Sequence, residues 1–289
     1  MTNPQSIQRG AFFIITAELS FALSAALIKL VSDSLPNESI VFFRNLFGLF
    51  VLIPLLFNAG HKILQTNRIH LHLFRSGIGM GAMYCFFYSL AHLPLADSML
   101  IKSTIPLIIP FIALAWLKEN LSRRIIVAGL LGFFGVFLIL KPDGNNTNWA
   151  SLVALGSSLM AALAFVTVRQ LSSTEPPLRI VAYFAIVGLS ISAVPLTWTW
   201  QTPTLGQCIL LLGVGLTTTI GQLLLTRGYQ NAPASSVGIF TYTSVPFGTF
   251  LGWLFWQELL EPKFYLGAIL IVFAGVLVLK NQLPDTDRS

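Results

Sequence analysis

Long apolar runs recur along the whole of this 289-residue chain and are separated by short polar connections. A helix needs about 20 mostly apolar residues to cross the hydrocarbon core of a bilayer. Only 10% of the residues are charged, whereas a soluble domain carries about 25%. The pattern therefore predicts an all-α membrane protein with ten transmembrane helices. The predicted spans are Gly10–Val31, Ser39–Phe57, Leu71–Ala91, Ala96–Trp116, Ile125–Leu140, Trp149–Val168, Ile180–Trp198, Gln207–Leu225, Ala234–Trp256 and Phe264–Leu279.

The distribution of basic residues predicts the orientation of these spans, because cytoplasmic segments carry an excess of lysine and arginine. If the N-terminus is cytoplasmic, the external loops hold only Lys141 and Lys263, and twelve basic residues lie on the inside. The inside set is Arg9, Lys62, Arg68, Arg75, Lys118, Arg123, Arg124, Arg169, Arg179, Arg227, Lys280 and Arg288. We therefore expect both termini in the cytoplasm.

The composition argues against nucleic-acid binding and against catalysis. The net charge is +6, but the basic residues lie singly between apolar runs and form no basic arm. Cys85 and Cys208 both lie inside apolar runs, which predicts neither a disulfide nor a metal site. We expect His61, His70 and His72 in a solvated cytoplasmic loop. Without a phosphate-binding glycine loop or a nucleophile elbow, the sequence predicts no enzyme activity, no cofactor and no use of ATP.

The second half of the chain repeats the first at an offset of 140 residues. The segment IVFFRNLFG at 40–48 lies on IVAYFAIVG at 180–188. Glu119 and Glu258 match at an offset of 139, both at span ends, where we expect them to cap or brace the fold. The chain therefore contains five spans twice, and because five is odd, the two copies have opposite orientations. Inverted repeats are typical of secondary transporters, whose substrate site lies near midplane between the repeats.

The chain resembles the EamA-type members of the drug/metabolite transporter superfamily along its whole length. The resemblance rests on ten spans in two repeats, on LAWLKENLSRRIIVAGLLGFFGVFLIL after the proline of the fourth span, and on its partner LGWLFWQELLEPKFYLGAILIVFAGVLVL. It implies two inverted five-helix repeats, at 1–141 and 142–289, and transport of a small organic solute across the cell inner membrane. It also implies a central cavity between spans 1–4 and 6–9, with spans 5 and 10 at the periphery of a monomer or at a homodimer face.

Three basic residues fall inside the predicted spans: Lys29, Arg44 and Lys102. A charge at membrane depth costs roughly 2.5–3.5 kcal/mol and usually marks a pathway for substrate or ions. Lys29 lies near a span end, from which its side chain could extend to the interface. Arg44 and Lys102 lie deeper, roughly 7–10 Å below the outer boundary, so we expect them at similar depth in neighbouring segments. Glu18 is the intramembrane carboxylate.

The repeat serves as an internal control on these charges. At the offset of 140 the pairs are Glu18 with Ser158, Arg44 with Phe184, and Lys102 with Tyr242. Because the second copy is neutral at all three positions, the shared architecture does not require the charges. We therefore predict an asymmetric cavity, charged on its first-half wall and aromatic on its second-half wall.

The stretch around Lys102 combines its ammonium group with hydroxyl groups and prolines. Ser103 and Thr104 follow Lys102 directly, and we expect their hydroxyl groups beside it. A proline lacks a backbone donor and frees a carbonyl, so the helix is expected to bend or loosen at each proline. The candidate hinge residues for gating are Pro106, Pro110 and Pro246, of which the first and last match in the repeat.

The leading hypothesis is a secondary transporter that moves a small anionic or zwitterionic metabolite by alternating access. Arg44 and Lys102 would bind the anion, and Tyr242 and Phe184 would cover an apolar or planar part. Aromatic faces also attract cations, so a zwitterion fits as well. The expected partners are the solute and the lipid bilayer, no metal site is predicted, and the protein is expected to be a monomer or a homodimer.

Three other interpretations stay open. Arg44 could pair with Glu38 or Asp33 at the outer rim and lock the first two spans together. Lys102 could pair with Glu18 or Asp97 as a structural bridge. Glu18 could instead be the centre of a proton-coupled exporter of hydrophobic cations, since the small multidrug resistance proteins carry a glutamate in their first membrane helix. A membrane scaffold without transport activity would have no reason to bury Lys102 and Arg44.

Overall fold

The protein is described by a computed structural model that covers residues 4–32, 34–92, 101–140, 149–257 and 262–280. Within these ranges the regular structure is helical throughout. The principal helices are α1 (Pro4–Ser32), α2 (Asn37–Ala59), α3 (Ile69–His92), α4 (Ile105–Leu117), α5 (Arg123–Leu140), α6 (Trp149–Leu171), α7 (Pro177–Ala193), α8 (Leu205–Asn231), α9 (Ser244–Trp256) and α10 (Pro262–Lys280). Short helical turns at His61–Leu64, Leu196–Thr199, Ala234–Val237 and Gly238–Thr243 lie between them.

Four helices in the described ranges are long and apolar enough to cross a membrane. They are α1 over Ser6–Ser32, α2, α6 and α8, each with a mean hydropathy of 2.0 or 2.2. α4, α7 and α10 are apolar but shorter. The chain is therefore a multi-pass membrane protein, while the number of spans stays a prediction.

The helices pair across the two halves of the chain in a symmetrical way. α1 packs against α8, and its repeat counterpart α6 packs against α3. α1 also contacts α9, just as α6 contacts α4. α2 packs against α7 and α5 against α10, so each of these helices meets its own counterpart. The contacts follow two five-helix repeats related by an approximate two-fold axis, and α2 and α7 lie beside that axis.

Glycines allow the closest of these helix approaches. A Cβ atom on Gly135 of α5 would lie 2.7 Å from the carbonyl oxygen of Gly267 in α10. A Cβ atom on Gly215 of α8 would lie 2.9 Å from the backbone nitrogen of Gly48 in α2. Both distances are too short for real contacts, so any larger residue would force the helices apart.

The α-helical structure is interrupted directly before α4 and before α9. Residues 103–104 form a turn, and Gly238–Thr243 forms a 3-10 helix. Pro106 and Pro246 follow in the first turn of α4 and α9, where a missing N–H costs no intrahelical hydrogen bond. Each segment is thus interrupted on the N-terminal side of its matched proline, and the hinge role of Pro106 and Pro246 stays a prediction.

The two segments also end in the same way. α4 continues through Pro110 to Leu117, so the helix is not interrupted at this second proline. Both α4 and α9 are 13 residues long. Each is followed by a residue in the left-handed conformation, Lys118 and Gln257, both with φ of 56°. The repeat seen in the sequence is thus reproduced in the backbone.

The seventh predicted span is not one helix. α7 ends at Ala193, and beyond Pro195 the chain forms only the short helical turn Leu196–Thr199. Proline removes the N–H that a continuous helix needs. The apolar run to Trp198 therefore continues after the helix has ended.

Candidate functional site

Arg44 and Arg75 approach the ring of Phe184 from two different helices. Arg44 lies in α2, Arg75 in α3 and Phe184 in α7. The guanidinium carbon is 5.9 Å from the ring centroid for Arg44 and 3.7 Å for Arg75. A ring face attracts a cation within about 6 Å of its centroid. One ring of the second repeat thus supports two cations of the first.

Arg75 is almost fully buried, with 2% of its surface exposed. Its Nη2 donates a hydrogen bond to Oε1 of Gln222 in α8 at 2.7 Å. Its Nε and Nη1 are buried and have no hydrogen-bond partner among the described residues. Burying a charge is costly unless it is paired, so the charge of Arg75 is only partly compensated by the protein.

Arg44 is also buried and uncompensated. Its Nη1 lies 2.8 Å from Sδ of Met83 in α3, and a thioether is only a weak acceptor. In the described part of the chain, no carboxylate lies within 4.0 Å of either guanidinium. Arg44 therefore does not form the alternative ion pair with Glu38, and the other expected partner, Asp33, lies outside the described residues. The distances to Phe184 keep the two guanidinium carbons within about 10 Å, where like charges repel by roughly 2 kcal/mol at an effective dielectric constant of about 20.

A small cavity of about 20 Å³, enough for about one water molecule, opens beside this pair of arginines. Its lining is Arg44, Asn45, Gly48, Val181, Phe184, Ala185, Thr218, Thr219 and Gln222. Arg44 faces the cavity itself, whereas Arg75 lies behind Phe184 and Gln222 and contacts both. The cavity thus joins one charged group to hydroxyl and amide groups, with a second positive charge close behind them.

Arg44 and Phe184 hold equivalent positions in the two repeats. They differ by the offset of 140 residues, and they meet because α2 packs against its counterpart α7. Equivalent positions of two symmetry-related helices come together only near the axis that relates them. The cavity therefore lies near the approximate two-fold axis, between the repeats.

Lys102 lies just before α4 and contacts α3 about one helical turn beyond Met83. Its Nζ is 5.1 Å from the ring centroid of Phe86, three residues after Met83, which contacts Arg44. Residues three apart share a helical face and are about 4.5 Å apart along the axis. The contacts of Arg44 and Lys102 on α3 are therefore about one helical turn apart.

Glu18 is buried in α1, with 6% of its surface exposed. It is close enough to Lys102 for the two charges to interact. The two groups nevertheless form no ion pair within 4.0 Å, and in the described ranges Lys102 has no other hydrogen bond or ion pair. Glu18 therefore offsets the charge of Lys102 without forming a structural bridge to it, while the other expected partner, Asp97, lies outside the described residues.

The hydroxyl groups near Lys102 mainly form hydrogen bonds to the backbone where the helix is interrupted before α4. Oγ1 of Thr104 donates to the carbonyl of Ile101 at 2.7 Å. Oγ of Ser158, the repeat counterpart of Glu18, donates to the same carbonyl at 2.9 Å. Ser103 is buried beside them. The carbonyl freed by the broken helix is thus satisfied, and Thr104 does not point its donor at a ligand.

Tyr242 does not join the site. It is 1% exposed, and its hydroxyl donates to the carbonyl of Gly129 in α5 at 3.0 Å. A Cβ atom on Gly132 would lie 2.5 Å from its ring, so the ring packs flat against α5. The expected aromatic wall therefore contains Phe184 but not Tyr242. The reason is local: Gly238–Thr243 is a 3-10 helix, whose residues point in other directions than those of an α-helix.

Arg75 and Gln222 are absent from the sequence-based candidates. The charge pattern assigns Arg75 to the cytoplasmic side, so the sequence gives no reason to place it in the binding site. Two features could have identified Arg75 as a candidate: it lies inside α3, and its repeat partner, Gly215, is neutral. The expectation for His72 is wrong for a similar reason: it lies in α3 and is 1% exposed, not in a solvated loop.

A second polar cluster joins the connection between α2 and α3 to the start of α7. Glu175 accepts a hydrogen bond from Oγ1 of Thr66 at 2.7 Å and another from Nη1 of Arg179. Nε of Arg179 donates to a backbone carbonyl of the α2–α3 connection. Tyr183 donates its hydroxyl to the carbonyl of Leu64 at 2.8 Å. The cluster thus ties a connection of the first repeat to a helix of the second.

The charge state of Glu175 depends on these partners. Burial by itself raises the pKa of Glu175, but the hydrogen bonds from Thr66 and Arg179 and the charges of Arg179 and His72 outweigh it. The pKa of Glu175 therefore lies below its ordinary value of 4.5. The carboxylate stays ionised at neutral pH and holds the cluster together.

Glu119 braces the same end of the molecule. Its carboxylate accepts hydrogen bonds from the N–H groups of Ala234 at 3.0 Å and Ser235 at 3.1 Å, and from the Ser235 hydroxyl at 2.8 Å. Nε of Arg169, near the end of α6, lies 3.6 Å from it. The predicted capping and bracing role of Glu119 is confirmed, while Glu258 lies outside the described residues.

Comparisons with known proteins agree on one family. The sequence model of the EamA-like transporter family matches residues 8–141 and 148–280. The pseudopaline exporter CntI of Pseudomonas aeruginosa is 31% identical over 279 residues, which cover 96% of this chain and 98% of that protein. A riboflavin transporter of Vibrio cholerae is 28% identical over 287 residues, covering 97% of this chain and 96% of the other. One solved crystal structure shares the fold, with a TM-score of 0.81 and 16% identity over 96% of both chains.

Proposed function

This chain belongs to the EamA-like transporter family, and on that premise we propose that it carries a small anionic or zwitterionic organic metabolite across the cell inner membrane. Its relatives are named as transporters and not as enzymes. They are named for two different organic solutes. Membership of the family therefore supports a small organic solute as the substrate but does not identify it.

One observation carries the anionic part of this proposal: two buried arginines meet at the Phe184 ring with no carboxylate within 4.0 Å among the described residues. Burying such a pair is unfavourable by itself. An anion bound beside Arg44 would be attracted by both guanidinium groups and would offset their repulsion. A solute of this charge is therefore the ligand that the site favours most.

The lining residues suggest a role for each group. Arg44 binds the anion directly, and Asn45, Thr218 and Gln222 orient the rest of the solute by hydrogen bonds. Arg75 acts as a positioning residue, since it holds Gln222 at 2.7 Å and adds positive charge behind the cavity. Phe184 serves as the platform for both cations.

We propose alternating access as the mechanism, with ten spans, inverted repeats and both termini in the cytoplasm. In that orientation the Glu175 cluster and Glu119 lie on the cytoplasmic side. The hydrogen bond from Thr66 to Glu175 joins the two repeats there and must separate when the cavity opens to the cytoplasm. The breaks before Pro106 and Pro246 supply the hinges that such rocking needs.

Proton-coupled export of hydrophobic cations is the second candidate function. Its supporting observation is that Glu18, a carboxylate in the first membrane helix, is buried. Lys102 lies close enough to act on Glu18, and the two arginines near the axis would repel a cation. The anionic solute is therefore favoured, and Glu18 is left as the proton carrier if transport is coupled to protons.

A comparison of metabolites in cells tests the proposal without a known substrate. Cells that express the wild-type protein, Arg44→Gln, Glu18→Gln or the exposed control Arg123→Gln are grown alike, and solutes in the cells and in the medium are measured by mass spectrometry. We expect an anionic or zwitterionic solute to be redistributed by the wild type and by Arg123→Gln but not by Arg44→Gln. Redistribution of cationic solutes that survives Arg44→Gln and is lost in Glu18→Gln would replace the proposal with the second candidate.

A further inference from the structure

We infer that the transported solute carries two anionic groups, one bound at Arg44 and the other at Lys102. This inference rests on the proposed function and specifies the class of its substrate. It is carried by two observations that are independent of each other, the balance of charge inside the helices and the placement of the cations along α3.

The charge balance leaves two positive charges uncompensated. Arg44 and Arg75 are buried, and Lys102 is half-buried against Phe86. Among the described residues, the buried carboxylate Glu18 lies close enough to Lys102 for the two charges to interact. Three cations against one carboxylate leave an excess of two. Intramembrane charges are expensive unless they pair with one another or with a ligand. A solute with two negative charges balances this interior, whereas a single carboxylate balances half of it.

The contacts of the cations also lie along one helix. Arg75, Met83 and Phe86 belong to one face of α3, and the last two are the contacts of Arg44 and Lys102. The positions of Met83 and Phe86 differ by about 4.5 Å along the helix axis. Two carboxylates separated by a short carbon chain can therefore reach both cations at once. A monocarboxylate can reach only one.

Lys102 is the group that would bind the second anionic group of the solute. In the described ranges it has no hydrogen bond and no ion pair, and its ammonium group lies against the ring of Phe86. Glu18 interacts with it from beyond 4.0 Å. Lys102 is thus held at the edge of the site with its donors uncommitted, whereas Arg75 lies deeper and holds Gln222 with one of its donors.

Matched carboxylates test this inference on the purified full-length protein. The probes are glutarate and adipate, and the controls are valerate and hexanoate, which have the same carbon chains with one carboxylate fewer. Binding is measured as the rise in melting temperature, since a ligand that binds only the folded state raises it by mass action. We expect the dicarboxylates to give the same rise in melting temperature at concentrations at least about tenfold lower than the monocarboxylates. A tenfold difference corresponds to a preference of about 1.4 kcal/mol in binding free energy.

Substitutions at Lys102 and Arg44 test which residue binds each carboxylate of the probe. Lys102→Gln should abolish the preference for dicarboxylates and leave the response to monocarboxylates unchanged. Lys102→Arg should keep the preference, which guards against a general defect in folding. Lys118→Gln is the matched control, because Lys118 is exposed and its repeat counterpart is a glutamine with the same φ. Arg44→Gln should weaken the response to both kinds of probe.

Failure of this inference can be separated from failure of the proposed function. Equal responses to dicarboxylates and monocarboxylates, lost together in Arg44→Gln, would overturn the two-anion inference and leave the proposed function intact. A preference that survives Lys102→Gln would likewise overturn it. Responses that are absent in the wild type, or unchanged in Arg44→Gln, would overturn both.

Discussion

The guanidinium carbon of Arg75 lies 3.7 Å from the centroid of the Phe184 ring, so a cation of the first repeat rests on an aromatic ring of the second. Arg44 approaches the same ring at 5.9 Å. The ring keeps two like charges together in the interior near the axis between the repeats. Such an arrangement costs stability, and it is useful only if something else provides the opposite charge.

This cost can be measured directly. Arg75→Met removes a buried charge that the described residues leave partly unpaired and replaces it with an apolar side chain of similar length. We expect the melting temperature of the solute-free protein to stay the same or rise, while transport falls at least tenfold. Replacement of a buried charge by an apolar residue is often neutral or stabilising. A drop of several degrees, with transport retained, would mean that Arg75 serves the fold alone.

Phe184→Leu should reduce the affinity for the solute and leave the fold intact. The substitution keeps an apolar side chain at the site but removes the ring face that supports both guanidinium groups. A cation–π contact contributes about 0.5–2 kcal/mol, so the concentration for half-maximal transport should rise about two- to thirtyfold. Phe111→Leu is the matched control, because Phe111 is 58% exposed on the outside of α4. Equal effects of the two substitutions would contradict the role of Phe184.

Tyr242→Phe should affect stability and not transport. The substitution removes the hydroxyl that donates to Gly129 at 3.0 Å and leaves the ring packed on Gly132. Loss of such a hydrogen bond costs about 1 kcal/mol, which titration with a denaturing detergent can detect. Transport per folded molecule should equal that of the wild type. Weaker solute affinity at unchanged stability would instead return Tyr242 to the binding site.

The stability contributed by Glu175 should be lost only in acid. Its pKa in the folded protein lies below 4.5, so the carboxylate stabilises the fold above that pH and loses its effect as the pH falls through the folded-state value. Above pH 4.5 the melting temperature of the wild type should exceed that of Glu175→Gln by a constant amount. Below it, the wild-type curve should fall towards that of the variant. Parallel curves across the whole range would exclude Glu175 as the titrating group.

The features that the sequence predicted best depend on local backbone chemistry. Pro106 and Pro246 cannot donate a backbone hydrogen bond, and the chain breaks directly before the helices that contain them. Glu119 follows a helix end, where a carboxylate can cap a neighbouring N-terminus, and it caps the turn at Ala234. Composition and the internal repeat were sufficient for the all-helical membrane class and the two-repeat plan.

The features that the sequence missed depend on packing. Arg75 and His72 lie near the start of α3, where charge statistics favour a position in water, yet helix packing buries both. Tyr242 occupies the position equivalent to Lys102, but the 3-10 backbone around it turns the ring towards α5. The direction in which a side chain points, and the partner it meets, follow from tertiary contacts that no offset in the sequence encodes.

The most direct test of the anion site is a screen of small metabolites by melting temperature on two purified proteins, the wild type and Arg44→Gln. The set should include anionic, zwitterionic, neutral and cationic compounds at equal concentration. We predict that the compounds that stabilise the wild type carry at least one negative charge and that their effect is lost in Arg44→Gln. Stabilisation by cationic or neutral compounds that is equal in both proteins would contradict the account.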